Sequence, residues 1–205
     1  MHAVTKHERP GVYSSYEASS LTAAATGGGS VAVVAAAEKE DAEKSYQWTS
    51  FSKAAADVGD CMLSRMAQAA IRNGAGVVYG VPAGEDYEEA FAVAAALENV
   101  SVVVCDSTDV GVQQDLKTSV QECSAVRRER IAVVGGAAGE SVEKLTQRAA
   151  ALNCEWMVLV APGAGDGSGG ALCAAAVAGA IVGGSDPALP LGGAQIYGLE
   201  GLECG

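Results

Sequence analysis

Five short apolar runs, at residues 31–36, 76–81, 100–105, 131–134 and 156–160, are separated by stretches in which apolar residues recur at helical spacing. This alternation constrains the fold more than any other feature of the chain. A run such as Val102-Val103-Val104 is β-branched and uninterrupted by polar residues. It has no face suited to water and must be covered on both sides. The helical stretches supply that cover, so the pattern predicts an α/β fold: a mainly parallel sheet with helices on both faces. Strand twist makes the crossovers right-handed. A length of 205 residues suits one such domain with some extended segment attached.

Each helical stretch carries its own signals. The helix at 60–73 places Leu63, Met66, Ala67, Ala70 and Ile71 on one face, and Asn73-Gly74 closes it. Asp86 begins the next helix, with Glu89 as a capping-box partner and a buried stripe of Ala90, Phe91, Ala94 and Leu97. Asp109 is an N-cap for a helix burying Leu116, Val120 and Cys123. Residues 141–152 form a helix with Val142, Leu145, Ala149 and Leu152 on one side. Residues 38–44 form a charged, exposed connection. Beyond the last strand lie a Gly-rich loop at 163–170 and a helix at 171–182 that is apolar all round, and therefore buried in the domain or at a subunit contact. Ser185-Asp186-Pro187 ends that helix, and Gly192-Gly193 reads as a tight hairpin turn between 189–191 and 194–196.

The first 26 residues are different. They are polar, rich in Ser and Thr, and lack helical periodicity. Arg9-Pro10-Gly11 punctuates them, while Val12, Tyr13 and Tyr16 favour an extended chain. The reading is an extended N-terminal arm over residues 1–26, a Gly27-Gly28-Gly29 hinge, and an α/β domain over residues 27–205. A free strand presents unpaired N–H and C=O groups that another subunit's sheet satisfies, so the arm suits strand exchange.

Charge and cysteine content exclude several functions. The net charge of −12 repels a phosphate backbone, so nucleic acid is not an expected partner. The dense basic stretch of Arg127, Arg128 and Arg130, broken by Glu129, reads as a solvated helix end where cations complement the dipole. Cysteines at 61, 105, 123, 154, 173 and 204 lie too far apart for a CxxC pair and read as small core residues. The start of the chain lacks the apolar core of a signal peptide. The apolar stretch at 171–182 falls short of the ~20 residues that span a bilayer, so no membrane insertion is expected.

Enzyme signatures are present but poorly placed. Gly165-Asp166-Gly167-Ser168-Gly169-Gly170 matches G-x-G-x-x-G between a strand and a helix, with Asp186 beyond it, and this keeps a nucleotide-binding α/β enzyme as the alternative reading. The motif nevertheless follows the last strand of the series instead of the first, and Asp186 belongs to a turn. Neither Ser168 nor Ser185 has glycine at both flanking positions of a G-x-S-x-G nucleophile elbow, and both histidines, His2 and His7, lie in the arm. Asp106, Asp109 and Asp115 read as a turn residue, a cap and a helix-surface residue. No catalytic, cofactor-binding or metal-binding residue is nominated.

Two end motifs carry a resemblance. The segment AAAVAGAIVGGSDPALPLGGAQIYGLEGL, from Ala174, looks like an Ala-rich helix leading into a DPALPLNGAE-type turn, with Gly192 in place of Asn. The opening ERPGVYSSYEASS resembles an RPGVY-type arm, and ENVSVVVCDSTD, RRERIAVVGG and AALNCEWMVLVAP follow in the matching order. Together they resemble the phage-type contractile tail sheath family over nearly the whole chain. The resemblance implies a non-enzymatic structural subunit with a subtilisin-like central domain. Such subunits form hexameric rings stacked helically around a tail tube and contract to drive it through a target envelope. Implied partners are other sheath subunits, the tail tube protein and baseplate proteins, in a virion tail or phage-tail-like particle synthesised in a bacterial cytoplasm. The inter-subunit arm would comprise Arg9, Pro10, Gly11, Val12, Tyr13 and Tyr16. Family members normally continue into a C-terminal domain, which is not expected within residues 1–205.

Overall fold

Strand β1 (Ser30–Ala36) runs through the middle of the molecule, and its residues from Val31 to Ala35 are fully buried. A computed structural model describes residues 29–37, 44–84, 86–161, 170–184 and 191–199. After β1 come β2 (Tyr46–Trp48), α1 (Phe51–Val58), α2 (Met62–Arg72), β3 (Val77–Ala83), α3 (Tyr87–Ala96), β4 (Val102–Cys105) and α4 (Val110–Ala125). The chain continues through β5 (Ile131–Gly135), α5 (Val142–Leu152), β6 (Met157–Val160) and α6 (Ala171–Gly183). The sheet order is β2-β3-β1-β4-β5-β6, parallel throughout except for antiparallel β2.

Side-chain alternation along the strands divides the core into two layers. Val31, Val33 and Ala35 face one way, with Val102, Val104 and Val133, against α1, α2 and α6. Ala32 and Val34 face the other way, with Val103, Cys105, Ala132 and Val134, against α3, α4 and α5. The expected α/β class, with helices on both faces, is the observed one. Fully burying a valine contributes roughly 1.5–3 kcal/mol relative to exposure. Much of the apolar burial is therefore concentrated in this doubly covered sheet.

The α6 helix is buried inside the domain, and small residues let it approach α2 at backbone distance. A Cβ placed on Gly179 would lie 2.2 Å from the Ala70 carbonyl oxygen, and one on Gly183 would lie 2.7 Å from Cα of Gly74. The all-apolar character of α6 is thus explained by contact with α2 on one side and the sheet on the other.

Several local signals are realised. The carboxylates of Asp86 and Asp109 accept from the amides of Glu88 and Val112, and the Ser141 hydroxyl accepts from Lys144. The Asp86 carboxylate accepts from the Glu88 amide and not from that of Glu89, so the expected capping box is not formed. Other expectations are corrected. On α5, Val142 is 75% exposed and Ala149 is exposed, while Arg148 and Leu152 turn inward. The β6 strand is only half buried, since it forms a sheet edge that α5 does not fully cover. The Gly192-Gly193 turn is closed by Ala194 N–H donating to Leu191 at 2.9 Å, but residues 194–196 form no strand. Positive φ occurs at Gly193 and not at Gly192, unlike a two-residue I′ or II′ hairpin turn. Sequence periodicity also missed β2 and α1. Trp48 is fully buried over Gly80, where any Cβ would meet its ring, and its indole N–H donates to Asp57 at 2.8 Å.

The segment after α6 returns to α2 through one side chain. The Asn73 amide donates to Ala69 O at 2.8 Å and to Tyr197 O at 3.0 Å, and its oxygen accepts from Tyr197 N–H at 2.8 Å. Asn73 is 4% exposed, so water cannot replace these bonds readily. Asn73→Ala is expected to cost about 1–3 kcal/mol. Hydrogen exchange should show Tyr197 N–H losing protection before the β1 amides do.

Candidate functional site

In open α/β sheets, ligands bind beyond the carboxyl ends of the strands where strand order reverses. Here that place lies between β1 and β4, because the chain passes from β1 to β3 on one side and later to β4 on the other. The residue entering it is Asp106. Its two carboxylate oxygens accept from Ala36 N–H at 3.0 Å and from the Tyr87 hydroxyl at 2.6 Å. Its own N–H donates to Val34 O at 3.2 Å. Asp106 therefore ties the end of β1 to the start of α3 across the crevice, a structural role.

Neither neighbouring acid supplies a nucleophile. Burial pushes the Cys105 thiol up to about 12, with the Asp106 charge adding to the effect. Burial, then the hydrogen bond to Asp106, pushes Tyr87 above the usual phenol range. Both stay protonated at neutral pH, whereas thiolate or phenolate chemistry needs the reverse. Asp109 caps α4, and Asp115 is exposed on its surface.

A second polar centre lies beyond β4 and β5. Arg148, its side chain 6% exposed, forms a two-pronged pair with Glu140, through Nε at 3.1 Å and a terminal nitrogen at 3.0 Å. Its other terminal nitrogen donates to Thr108 O at 2.7 Å and to Gln113 Oε1 at 3.0 Å. Gln113 is fully buried, and its amide donates to Ser107 O and Gly135 O. The Arg148 hydrogen bond holds the Glu140 carboxyl below the usual glutamate range, against the effect of burial. Every side-chain nitrogen and oxygen of Arg148, Glu140 and Gln113 has a partner within the fold. The network braces the β4–α4 and β5–α5 loops and leaves no group poised for a substrate.

Among the described residues, no three His, Cys, Asp or Glu side chains gather as a metal site. No described helix is long and apolar enough to cross a membrane. The Gly165–Gly169 part of the nucleotide-type loop, Asp186, Ser168, both histidines and the arm residues Arg9, Pro10, Gly11, Val12, Tyr13 and Tyr16 lie outside the described residues. The surface carries open clefts of about 250–350 Å³.

The basic stretch is not one solvated helix end. Arg130 is 4% exposed, and its guanidinium donates to Ala94 O and Leu97 O, capping the C-terminus of α3 instead of α4. Arg127 and Arg128 are exposed on the turn after α4. That turn is a Schellman motif: Arg127 N–H donates to Ser124 O at 3.0 Å and Arg128 N–H to Cys123 O at 2.9 Å. Arg127 has φ 60°, the left-handed conformation that glycine usually supplies.

No family model and no curated protein matches the chain. Solved structures do. The contracted-state helical sheath of the anti-feeding prophage (AFP), determined by cryo-EM, matches with a TM-score of 0.52 and 14% identity, over 86% of this chain and 52% of that one. The six-fold symmetrised AFP baseplate structure matches with a TM-score of 0.54 and 15% identity, over 88% of this chain and 54% of that one. The chain spans about half the length of the chains it matches. Its fold is contractile-sheath-like, and these neighbours are components of structural assemblies.

Proposed function

We propose that this protein is a structural subunit of a contractile tail sheath, polymerising around a tail tube and contracting to drive the tube through a target envelope. The carrying observation is the fold likeness to AFP sheath and baseplate chains over 86–88% of the sequence. The polar centres add support, since Asp106, Gln113, Glu140 and Arg148 bond to the fold itself. On this reading the protein is not an enzyme and needs no cofactor. Its partners are other sheath subunits in hexameric rings and helical stacks, a tail tube protein and baseplate proteins. It belongs in a phage tail or a phage-tail-like particle, a bacteriocin or injection machine.

The same reading gives residues 1–26 the role of an inter-subunit arm, with Arg9, Pro10, Gly11, Val12, Tyr13 and Tyr16 as its strand-forming part, and residues 27–205 the role of the sheath's α/β domain. A borrowed strand would keep subunits linked while their main contacts rearrange. Pro10 cannot donate to a ladder and should mark the arm's start or an unpaired edge position.

Negative-stain microscopy tests the proposal on the purified chain and on a form extended past Gly205 to sheath length. Rings or tubes are expected in the extended form, and their loss on deletion of residues 1–16 with circular dichroism unchanged. Dispersed monomers in both forms would overturn the sheath reading, and normal tubes from the deleted form would remove the arm's role. Titration with NAD or NADP is expected to leave the melting temperature unchanged; a saturable rise would favour the nucleotide-binding alternative.

A further inference from the structure

The segment at 191–199 is held to the domain by few contacts. Leu191 to Gln195 are exposed, and only Ile196, Tyr197 and Leu199 are half-buried. Ile196 and Leu199 rest against the core layer that contains α2 and α6. Among the described residues, every hydrogen bond joining this segment to the helices runs through the Asn73 side chain. A stretch so sparsely bonded opens locally, at less cost than unfolding the domain.

Asn73 stands before Gly74, and of the three asparagines in the chain it alone precedes a glycine. Asparagine is a labile residue, most of all before glycine, where no Cβ shields the following nitrogen. Both residues are required where they stand. Asn73 ends α2 and bonds Tyr197, while Gly74 has φ 114° and any Cβ on it would lie 2.9 Å from Cα of Gly183. The fold thus places its most labile dipeptide beneath a segment that can lift. In the docked state the side-chain amide is fixed by Ala69 O, Tyr197 O and Tyr197 N–H, and Gly74 N–H donates to Ile71 O at 3.2 Å. Ring closure between the two residues needs that amide to turn and that N–H to be free.

We infer that Asn73-Gly74 is a deamidation site gated by segment 191–199, and that its modification makes release of the segment one-way. The inference is independent of the sheath reading. When the segment lifts, the Gly74 nitrogen gives its proton to base and attacks Cγ of Asn73. A new N–C bond forms, the Cγ–Nδ2 bond breaks, and Nδ2 leaves as ammonia, giving a five-membered succinimide. Water then opens the ring at one carbonyl or the other, to aspartate or isoaspartate, and no electron changes hands. An aspartate at this position still accepts from Tyr197 N–H, but its oxygens oppose the Ala69 and Tyr197 carbonyls to which Asn73 donated. Isoaspartate adds a main-chain methylene next to Gly74, which has no room against Gly183. Either product leaves the segment undocked.

Peptide mapping of the full chain, aged in mildly alkaline buffer, tests this, with the urea-unfolded chain giving the ungated rate. Asn73 in the folded parent should convert about a hundredfold or more slowly than in the unfolded chain. Ile196→Ala with Leu199→Ala removes the apolar anchors without touching Asn73, and should speed its conversion at least about tenfold while leaving exposed Asn153 unaffected. Urea below the unfolding transition should act likewise on the unsubstituted chain, a measurement that does not depend on the variant folding. Hydrogen exchange on the aged chain and on Asn73→Asp should show Tyr197 N–H unprotected while the β1 amides stay protected. Equal rates at Asn73 in the parent and in both loosened forms would overturn the gating, as would a folded parent that converts as fast as the unfolded chain. An Asn73→Asp chain that keeps Tyr197 N–H protected would overturn the one-way release.

Discussion

Gly179→Leu is expected to destabilise the domain by about 3 kcal/mol or more, lowering the melting temperature by on the order of 10 °C. At this position a Cβ alone would sit 2.2 Å from the Ala70 carbonyl oxygen and 2.9 Å from its Cα. The obstacle is helix backbone, which has no rotamer to change, so α2 and α6 must separate. Separation removes packing from Met66, Ala67, Ala70, Ala175 and Ala178, all fully buried in the same layer. Gly84→Ala is the control, because nothing lies within 4 Å of its Cβ position and its φ is unstrained. It should melt like the parent. Thermal unfolding followed by circular dichroism decides the matter, and equal melting of Gly179→Leu and Gly84→Ala would mean the helices are not in backbone contact.

Arg148→Ala is expected to cost about 3–5 kcal/mol at neutral pH, since it strands a nearly buried carboxylate whose side chain is 10% exposed. It also leaves Gln113 Oε1 and Thr108 O without their donor. The pH dependence has a definite sign. Arg148 depresses the folded-state pKa of Glu140 below its ordinary 4.5. The pair's stabilisation is therefore fully present above that value and is lost as pH falls through the folded-state pKa. In Arg148→Ala, burial is left opposing the charge, so protonation relieves the variant. Urea unfolding should show the gap between parent and variant narrowing on acidification below about pH 4.5. A constant gap would show that Glu140 does not sense Arg148.

Legibility in the sequence followed the range of the interaction. The caps at Asp86, Asp109 and Ser141 act within three residues, so their side chains announce them. The buried strands were legible because a run such as Val102-Val103-Val104 tolerates no solvent face. The short β2 was not, because three residues carry no period and Trp48 finds its place only over Gly80. On α5, Arg148 and Ala149 are neighbours on the helix, and periodicity alone favours alanine for the inward place. Arginine takes it because Glu140, Gln113 and Thr108 supply acceptors, one of them 40 residues away. The same holds for Arg130, whose acceptors at Ala94 and Leu97 belong to another helix. The left-handed turn at Arg127 had no signal, since glycine is its usual mark and glycine is absent there.

The position of β1 in the sheet has a kinetic consequence. Its two partners are made much later than it is: Ser30 pairs with Val77 and Val31 pairs with Val102. During synthesis at roughly 5–20 residues per second, the most thoroughly buried strand of the finished domain waits several seconds for the second of them. Until β3 emerges its Val31-Ala32-Val33-Val34-Ala35 run lacks a partner on either edge, and until β4 emerges one edge stays open. Folding cannot proceed from the N-terminus outward and must wait for β4, which makes it a slow process dominated by non-local contacts. Nascent chains stalled between β3 and β4 should therefore be the species that chaperones bind and that aggregates when the protein is overproduced.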